Sequence, residues 1–187
     1  MSVTLVGIAN SALIKVGADR ISSLTQDTKS AIVLNAIFDF IRDEVLRAHP
    51  WNFAIKRATI SPTATTPPFE YTYEYDLPSD CLRVLNVYPE SIPWSMEGNR
   101  KILSNEPTLD VIYVFRATDP TQWDSSFGEV MALRLAAEVA YNLTQSLALA
   151  DTLMKLYRAA IAEARSYDGT EGTLIKFVAD DWTNQRR

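Results

Sequence analysis

Residues 42–57 read Arg42-Asp43-Glu44-Val45-Leu46-Arg47-Ala48-His49-Pro50-Trp51-Asn52-Phe53-Ala54-Ile55-Lys56-Arg57, and the change of texture within them decides the fold. Upstream, Leu34, Phe38, Ile41 and Val45 share one stripe of a helix, with Asp39, Arg42, Asp43 and Arg47 largely off it. Asp27 is the expected cap of this helix. Pro50 disfavours helical geometry at His49, so the helix should end near Ala48. Trp51 and Phe53 can then cover the helix end by burying large apolar area, as an aromatic plug between helices and strands. His49 is expected to meet the free carbonyls of the helix end.

Downstream of Ile55 the chain turns to Pro, Thr, Tyr and short alternating runs, which predicts a small antiparallel β unit. Phe69-Glu70-Tyr71-Thr72-Tyr73-Glu74-Tyr75 exchanges aromatic and polar residues at every position, the pattern of a strand with one aromatic face. Further strands are expected at Arg83 to Tyr88, Lys101 to Leu103 and Asp110 to Phe115. Turn chemistry separates them: Pro78-Ser79-Asp80, Gly98-Asn99 and Asn105-Glu106-Pro107. The Pro- and Thr-rich stretch Ser61 to Pro68 is expected to be an exposed loop.

Helical periodicity governs both chain ends. Leu5, Ile8, Ala9, Ala12, Leu13 and Val16 mark a short first helix, with Thr4 as cap and Gly17 as stop. Ser126 and Glu129 have capping-box spacing, and Val130 to Leu147 is apolar on nearly every face, which predicts a helix buried among others. A fourth helix, roughly Leu149 to Tyr167 and ended by Gly169, should turn Leu149, Leu153, Leu156, Tyr157, Ala160, Ile161 and Ala164 inward. The expected fold is therefore α+β, mainly α: a four-helix bundle formed by both chain ends, 1–54 and 125–169, with an inserted small antiparallel β lobe, 55–124. Residues 170–187 are too apolar for a solvated tail and too few for a core. They suit either a partner surface or a return onto the bundle.

Composition narrows the function classes. One cysteine, Cys81, excludes an internal disulfide framework, and one histidine leaves no His/Cys set for zinc, so any metal chemistry would rest on carboxylates alone. No stretch approaches the roughly 18 apolar residues of a membrane span, and no signal core follows the N-terminus; no membrane partner is expected. The formal net charge of -5 speaks against non-specific binding to a DNA backbone. The acidity is concentrated in residues 61–124, which hold ten acidic and four basic side chains, a net of -6.

The passage 42–57 resembles a stretch of the tail tubular protein A family, the head-to-tail adaptors of short-tailed bacteriophages. Tyr73-Glu74-Tyr75-Asp76-Leu77-Pro78-Ser79-Asp80-Cys81-Leu82-Arg83-Val84 reinforces the likeness, as do Trp94 with Glu97-Gly98, Ile112-Tyr113, Asp119-Pro120, Trp123-Asp124 and Phe127. Leu135-Ala136-Ala137 and Leu143-Thr144 carry it into the third helix. The resemblance implies a non-enzymatic virion component without cofactor. Such a component is a ring of about twelve copies at the head-tail junction, with the portal protein on one side and the tail nozzle protein on the other. Assembly would take place in the host cytoplasm. Within the motif, Pro50 stops the helix, Pro78 and Asp80 build the turn, and Arg83 is expected to pair with a local carboxylate.

A closed ring needs two different patches per copy. The expectation is that exposed Arg42 and Arg47 face acidic residues of the adjacent copy. DNA must pass without sticking, which suits Glu70, Glu74, Glu90, Glu97 and Glu106 as channel-facing residues. Phe177, Val178 and Trp182 are candidates for docking on the portal. The rivals are another phage head-completion or stopper connector, and a small hydrolase using Asp76, Asp80, Asp119 and Asp124. Each of these carboxylates sits beside Pro, Ser or a helix start, where turn and cap hydrogen bonding is the commoner role.

Overall fold

Thr4 and Gly17 bracket the first helix as their chemistry requires. The Thr4 hydroxyl accepts from the Gly7 amide at 3.0 Å, and Gly17 adopts the left-handed conformation, φ 74°, in which a side chain would be strained. Helix α1 is Leu5–Val16. The computed structural model describes residues 4–98 and 100–171. Among them it has four α-helices and two small antiparallel sheets of three strands each, an α+β chain.

Helix α2 spans Lys29–Ala48 and ends where Pro50 dictates, with Leu34, Phe38, Ile41 and Val45 buried. Its cap is Thr28 rather than Asp27: Thr28 holds the extended backbone of an N-cap, and its side chain accepts from the Ala31 amide. Helix α3, Ser125–Thr144, is capped by Asp124, whose carboxylate accepts from the Ser126 amide at 2.8 Å. The expected Ser126–Glu129 box does not form, because Asp124 is the cap and Ser126 already lies in the first turn; Glu129 pairs across to Lys15 at 2.9 Å. Gln145, at φ 59°, closes the helix.

Helix α4 runs Leu147–Thr170 and passes through Gly169 instead of stopping there. Its last turn is held from outside by bonds to Asp168. Leu153, Ile161 and Ala164 are buried as expected, but Leu156 is 51% exposed. That helix packs chiefly on α3, so its apolar stripe needs to be only narrow. α3 is the central element, with α1, α2 and α4 each packed against it, and this explains why it is apolar nearly all round.

The strands are β1 Ile55–Ile60, β2 Tyr73–Asp76, β3 Cys81–Tyr88, β4 Trp94–Glu97, β5 Lys101–Ser104 and β6 Leu109–Phe115. They form two sheets rather than one unit, in the orders β1-β6-β3 and β2-β5-β4. The expected strand from Phe69 is shorter than its alternation suggested. Glu70 takes φ 71°, a conformation no strand residue holds, and Phe69 is left 77% exposed. Stretch 61–68 carries no regular structure.

Two cores result. The helical core includes Trp51, Phe127, Leu135, Val114 of β6 and Ala117 just beyond it. Between the sheets lies a smaller core built on Tyr75, Ile102, Leu109 and Val111. Phe115 packs against both. Each large side chain fully buried in these cores contributes about 1.5–3 kcal/mol of transfer free energy. The expected docking tail begins inside α4 at Thr170, and its candidates Phe177, Val178 and Trp182 lie outside the described residues.

Candidate functional site

Of the motif residues, Pro50, Trp51, Phe53 and Arg83 gather at the C-terminal end of α2. A helix leaves its last carbonyls without intrahelical partners, and α2 has no glycine to turn back on them. Three side chains serve instead: Trp51 Nε1 donates to Val45 O at 3.1 Å, Arg83 Nη1 to Arg47 O at 3.3 Å and Arg165 Nη2 to Ala48 O at 3.1 Å. Two of the three are guanidinium cations at the negative end of the helix dipole. Arg83 therefore caps a helix rather than pairing with a carboxylate. Arg47 returns the contact by donating to Leu82 O, which ties α2 to β3 from both sides.

One turn further on, Asp168 of α4 clasps the chain as it leaves the helix. Its carboxylate accepts from His49 Nε2 and from the Asn52 amide, each at 3.0 Å, and its carbonyl accepts from Asn52 Nδ2 at 2.7 Å. His49 thus meets a carboxylate and not the helix carbonyls. Burial lowers the His49 pKa below its ordinary value; the bond and charge of Asp168 oppose this, and the charges of Arg165 and Arg83 add to it. The neutral ring must carry its proton on Nε2, because a carboxylate can only accept.

The aromatic plug is present and extends beyond the residues singled out in sequence. Trp51 is fully buried, and its ring meets Phe127 edge-on at 5.2 Å, while Phe53 meets Phe127 at 5.0 Å. Trp123, on the returning chain, also contacts Phe127 edge-on, at 5.1 Å. Such pairs add about 0.5–1.5 kcal/mol each beyond area burial.

Arg42 does not present itself to a neighbouring copy. It is 6% exposed, bonded to Asp39 at 2.7 Å and to Asp43 at 2.8 Å, and Asp43 in turn holds Arg116 at 2.7 Å. Arg42 is enclosed in a charge network that joins α2 to the residue after β6, with Asp39 and Arg116 at its solvent side. Arg47 is exposed beyond its bond to Leu82.

Pro78 and Asp80 build the expected turn, with the Cys81 amide donating to Pro78 O at 2.9 Å. Asp80 Oδ2 meets Lys56 at 2.8 Å, and Oδ1 accepts from the Tyr113 hydroxyl at 3.2 Å. Burial would raise the Asp80 pKa, but the bond and charge of Lys56 and the Tyr113 bond outweigh it and hold the carboxyl below its ordinary range. Tyr113 is pushed up to about 12 by burial and by the negative charge beside it.

The four aspartates of the hydrolytic alternative occupy separate places. Asp119 bonds Thr121, Asp124 caps α3, Asp80 pairs with Lys56, and Asp76 lies exposed at the end of β2. Among the described residues no group of three or more His, Cys, Asp or Glu could hold a metal ion, and no helix is long and apolar enough to cross a membrane. Of the acidic channel candidates, Glu70, Glu90 and Glu97 are exposed and Glu106 is half-buried. Glu74 is the exception: it is 6% exposed and bonded to Lys101 at 2.6 Å, so it offers no free charge to a channel.

Sequence reasoning missed Asp168 and Arg165, whose partners lie more than a hundred positions away, and no local spacing marks either residue. The chain matches no protein-family model and no curated protein.

Proposed function

We propose that this chain is a head-to-tail adaptor of a short-tailed bacteriophage. About twelve copies form a ring in the virion, between portal and tail nozzle, through which DNA passes without specific binding. In this reading the four helices act as one bundle and the strands as a lobe inserted in it.

The observation that supports it is positional. The stretches that resemble the family, 42–57 and 73–84, are those that build the joint between helices and strands and the turn beside it. Large apolar side chains on outer helix faces, Ile14 at 62%, Ile32 at 58% and Phe40 at 74% exposure, are suited to contacts between copies. With Arg42 internal, the salt-sensitive share of those contacts falls to Arg47. Exposed Glu70, Glu90 and Glu97 suit a wall that phosphates do not bind. Phe177, Val178 and Trp182 remain the residues proposed to dock on the portal.

The test is analytical ultracentrifugation of the full chain with the portal encoded beside it, across a salt series. The expected result is a complex with one copy per portal subunit that weakens as salt rises. A chain ending at Glu171, which keeps all of α4 and the Asp168 clasp, should fold normally and bind the portal less tightly. No association at any salt would overturn the adaptor reading, whereas equal binding by the shortened chain would overturn only the docking role of the tail.

A further inference from the structure

The second sheet has two edges, treated differently. At β2 the chain covers its own edge: the Thr63 amide donates to Glu74 O at 2.7 Å, and the Thr63 hydroxyl to the Glu74 carboxylate at 3.3 Å. At β4 no strand or loop among the described residues pairs with the outer side. Open edges are a hazard that proteins ordinarily blunt with charge, proline or a covering segment. This edge is short, follows Pro93 and carries one charge, Glu97, yet it also bears two large apolar side chains, Trp94 and Met96.

Register shows which face they are on. Trp94 stands opposite Ser104, and Met96 opposite Ile102, which in turn stands opposite Tyr75. Ser104, Ile102 and Tyr75 are all fully buried on the side facing the other sheet. Trp94 and Met96 continue that core-facing side, yet they are 37% and 42% exposed. The core therefore runs out at β4 one strand short of being covered. On the opposite face, Asp76, Lys101 and Glu97 form one row across the sheet. The Lys101 ammonium is held by Glu74 at 2.6 Å, so Asp76 and Glu97 leave this exposed face acidic.

We infer that β4 is the docking edge for an extended segment of a partner protein in which apolar residues alternate with lysine or arginine. Strand addition would satisfy the outward backbone groups of β4. Apolar residues at one parity would cover Trp94 and Met96, and basic residues at the other would stand beside Glu97, where opposite charges on neighbouring strands attract. The inference does not depend on the adaptor reading.

The test uses the full chain and a synthetic probe, the blocked heptapeptide Lys-Val-Lys-Ile-Lys-Val-Lys, beside its all-glutamate counterpart. Binding is followed by amide NMR and hydrogen exchange. The basic peptide should shift the resonances of Trp94–Glu97 saturably and slow exchange at alternate β4 amides, with the acidic peptide about ten-fold weaker. Glu97→Lys should reverse that preference, and Met96→Lys should weaken both peptides; both positions are exposed enough that folding is unaffected. The inference is overturned by no binding of the basic peptide at millimolar concentration. Shifts scattered over the acidic surface without slowed exchange in β4, or binding indifferent to both substitutions, would overturn it equally.

Discussion

The chain crosses between its helices and its strands twice, and the two crossings use the same device with different backing. On the way out, Trp51 donates its indole N–H to Val45 O at 3.1 Å; on the way back, Trp123 donates to Ala117 O at 3.0 Å. Both carbonyls lie six residues upstream of their tryptophan, and both rings meet the edge of Phe127. The outgoing crossing is further clamped by Asp168 and Arg165 from α4 and by Arg83 from β3. The returning one relies more on near neighbours, Asp119 on Thr121 and Asp124 on Ser126, with two long-range ties at Arg116: its amide to Asp80 O at 2.7 Å and its guanidinium to Asp43. One crossing is made rigid by distant parts of the chain, whereas the other is largely set by its own sequence.

Removing the tryptophans tests this most severely. Trp51→Ala should cost about 4–5 kcal/mol and Trp123→Ala about 3, the upper and lower parts of the range for large aromatic truncations in a core. The difference is expected because Trp51 also touches His49 and Phe53; each loss uncovers one carbonyl, Val45 O or Ala117 O, so that cost is common to both. Denaturant unfolding of the two variants measures it. Equal costs would mean that the contacts of Trp51 with His49 and Phe53 add nothing to the outgoing crossing.

The same contrast explains what could be read from the sequence. Thr4, Gly17, Pro50 and the turn at Pro78 and Asp80 act within a few residues of themselves, and the structure places them as expected. Trp51 and Phe53 were legible as a plug because large aromatic residues after a helix stop have few other uses. Phe127, which receives them, carried no such signal. Arg42 was misjudged because its helical phase places it at the edge of the buried stripe, and only the fold brings Arg116 to Asp43 and so encloses it. Glu70 has no turn-forming neighbour to betray its left-handed backbone. Asp168 was invisible for the reason that makes it interesting: its bonds reach 116 and 119 positions back along the chain.

Asp168→Ala sharpens the comparison at intermediate size. It removes the acceptor of His49 and of the Asn52 amide while leaving the aromatic plug intact, and should cost about 2 kcal/mol, the range for bonds to a buried carboxylate. On the returning side, Asp124→Ala removes only a helix cap, worth about 1 kcal/mol. Thermal unfolding ranks the two, and hydrogen exchange locates the damage: at Asn52 and the end of α4 for the first, and in the first turn of α3 for the second. A larger loss from Asp124→Ala would place the stronger clamp on the return crossing.

The smallest expected effect is a pH dependence confined to the outgoing crossing. His49 has its pKa lowered from 6.5 by burial, so the unfolded chain takes up a proton more readily than the folded one. Its contribution to stability is thus complete above 6.5 and declines as pH falls from there through the lowered folded value. No other histidine is present to blur the comparison. Carboxylates begin to titrate at the lower end of the same interval, so the informative quantity is the wild type relative to His49→Gln, in which the slope should vanish. Melting temperatures of the two proteins from about pH 7 to about pH 5.5 give it directly. Parallel curves would mean that the ring gains as much from Asp168 on protonation as it loses to burial and to the two arginines, making the clasp indifferent to its own charge state.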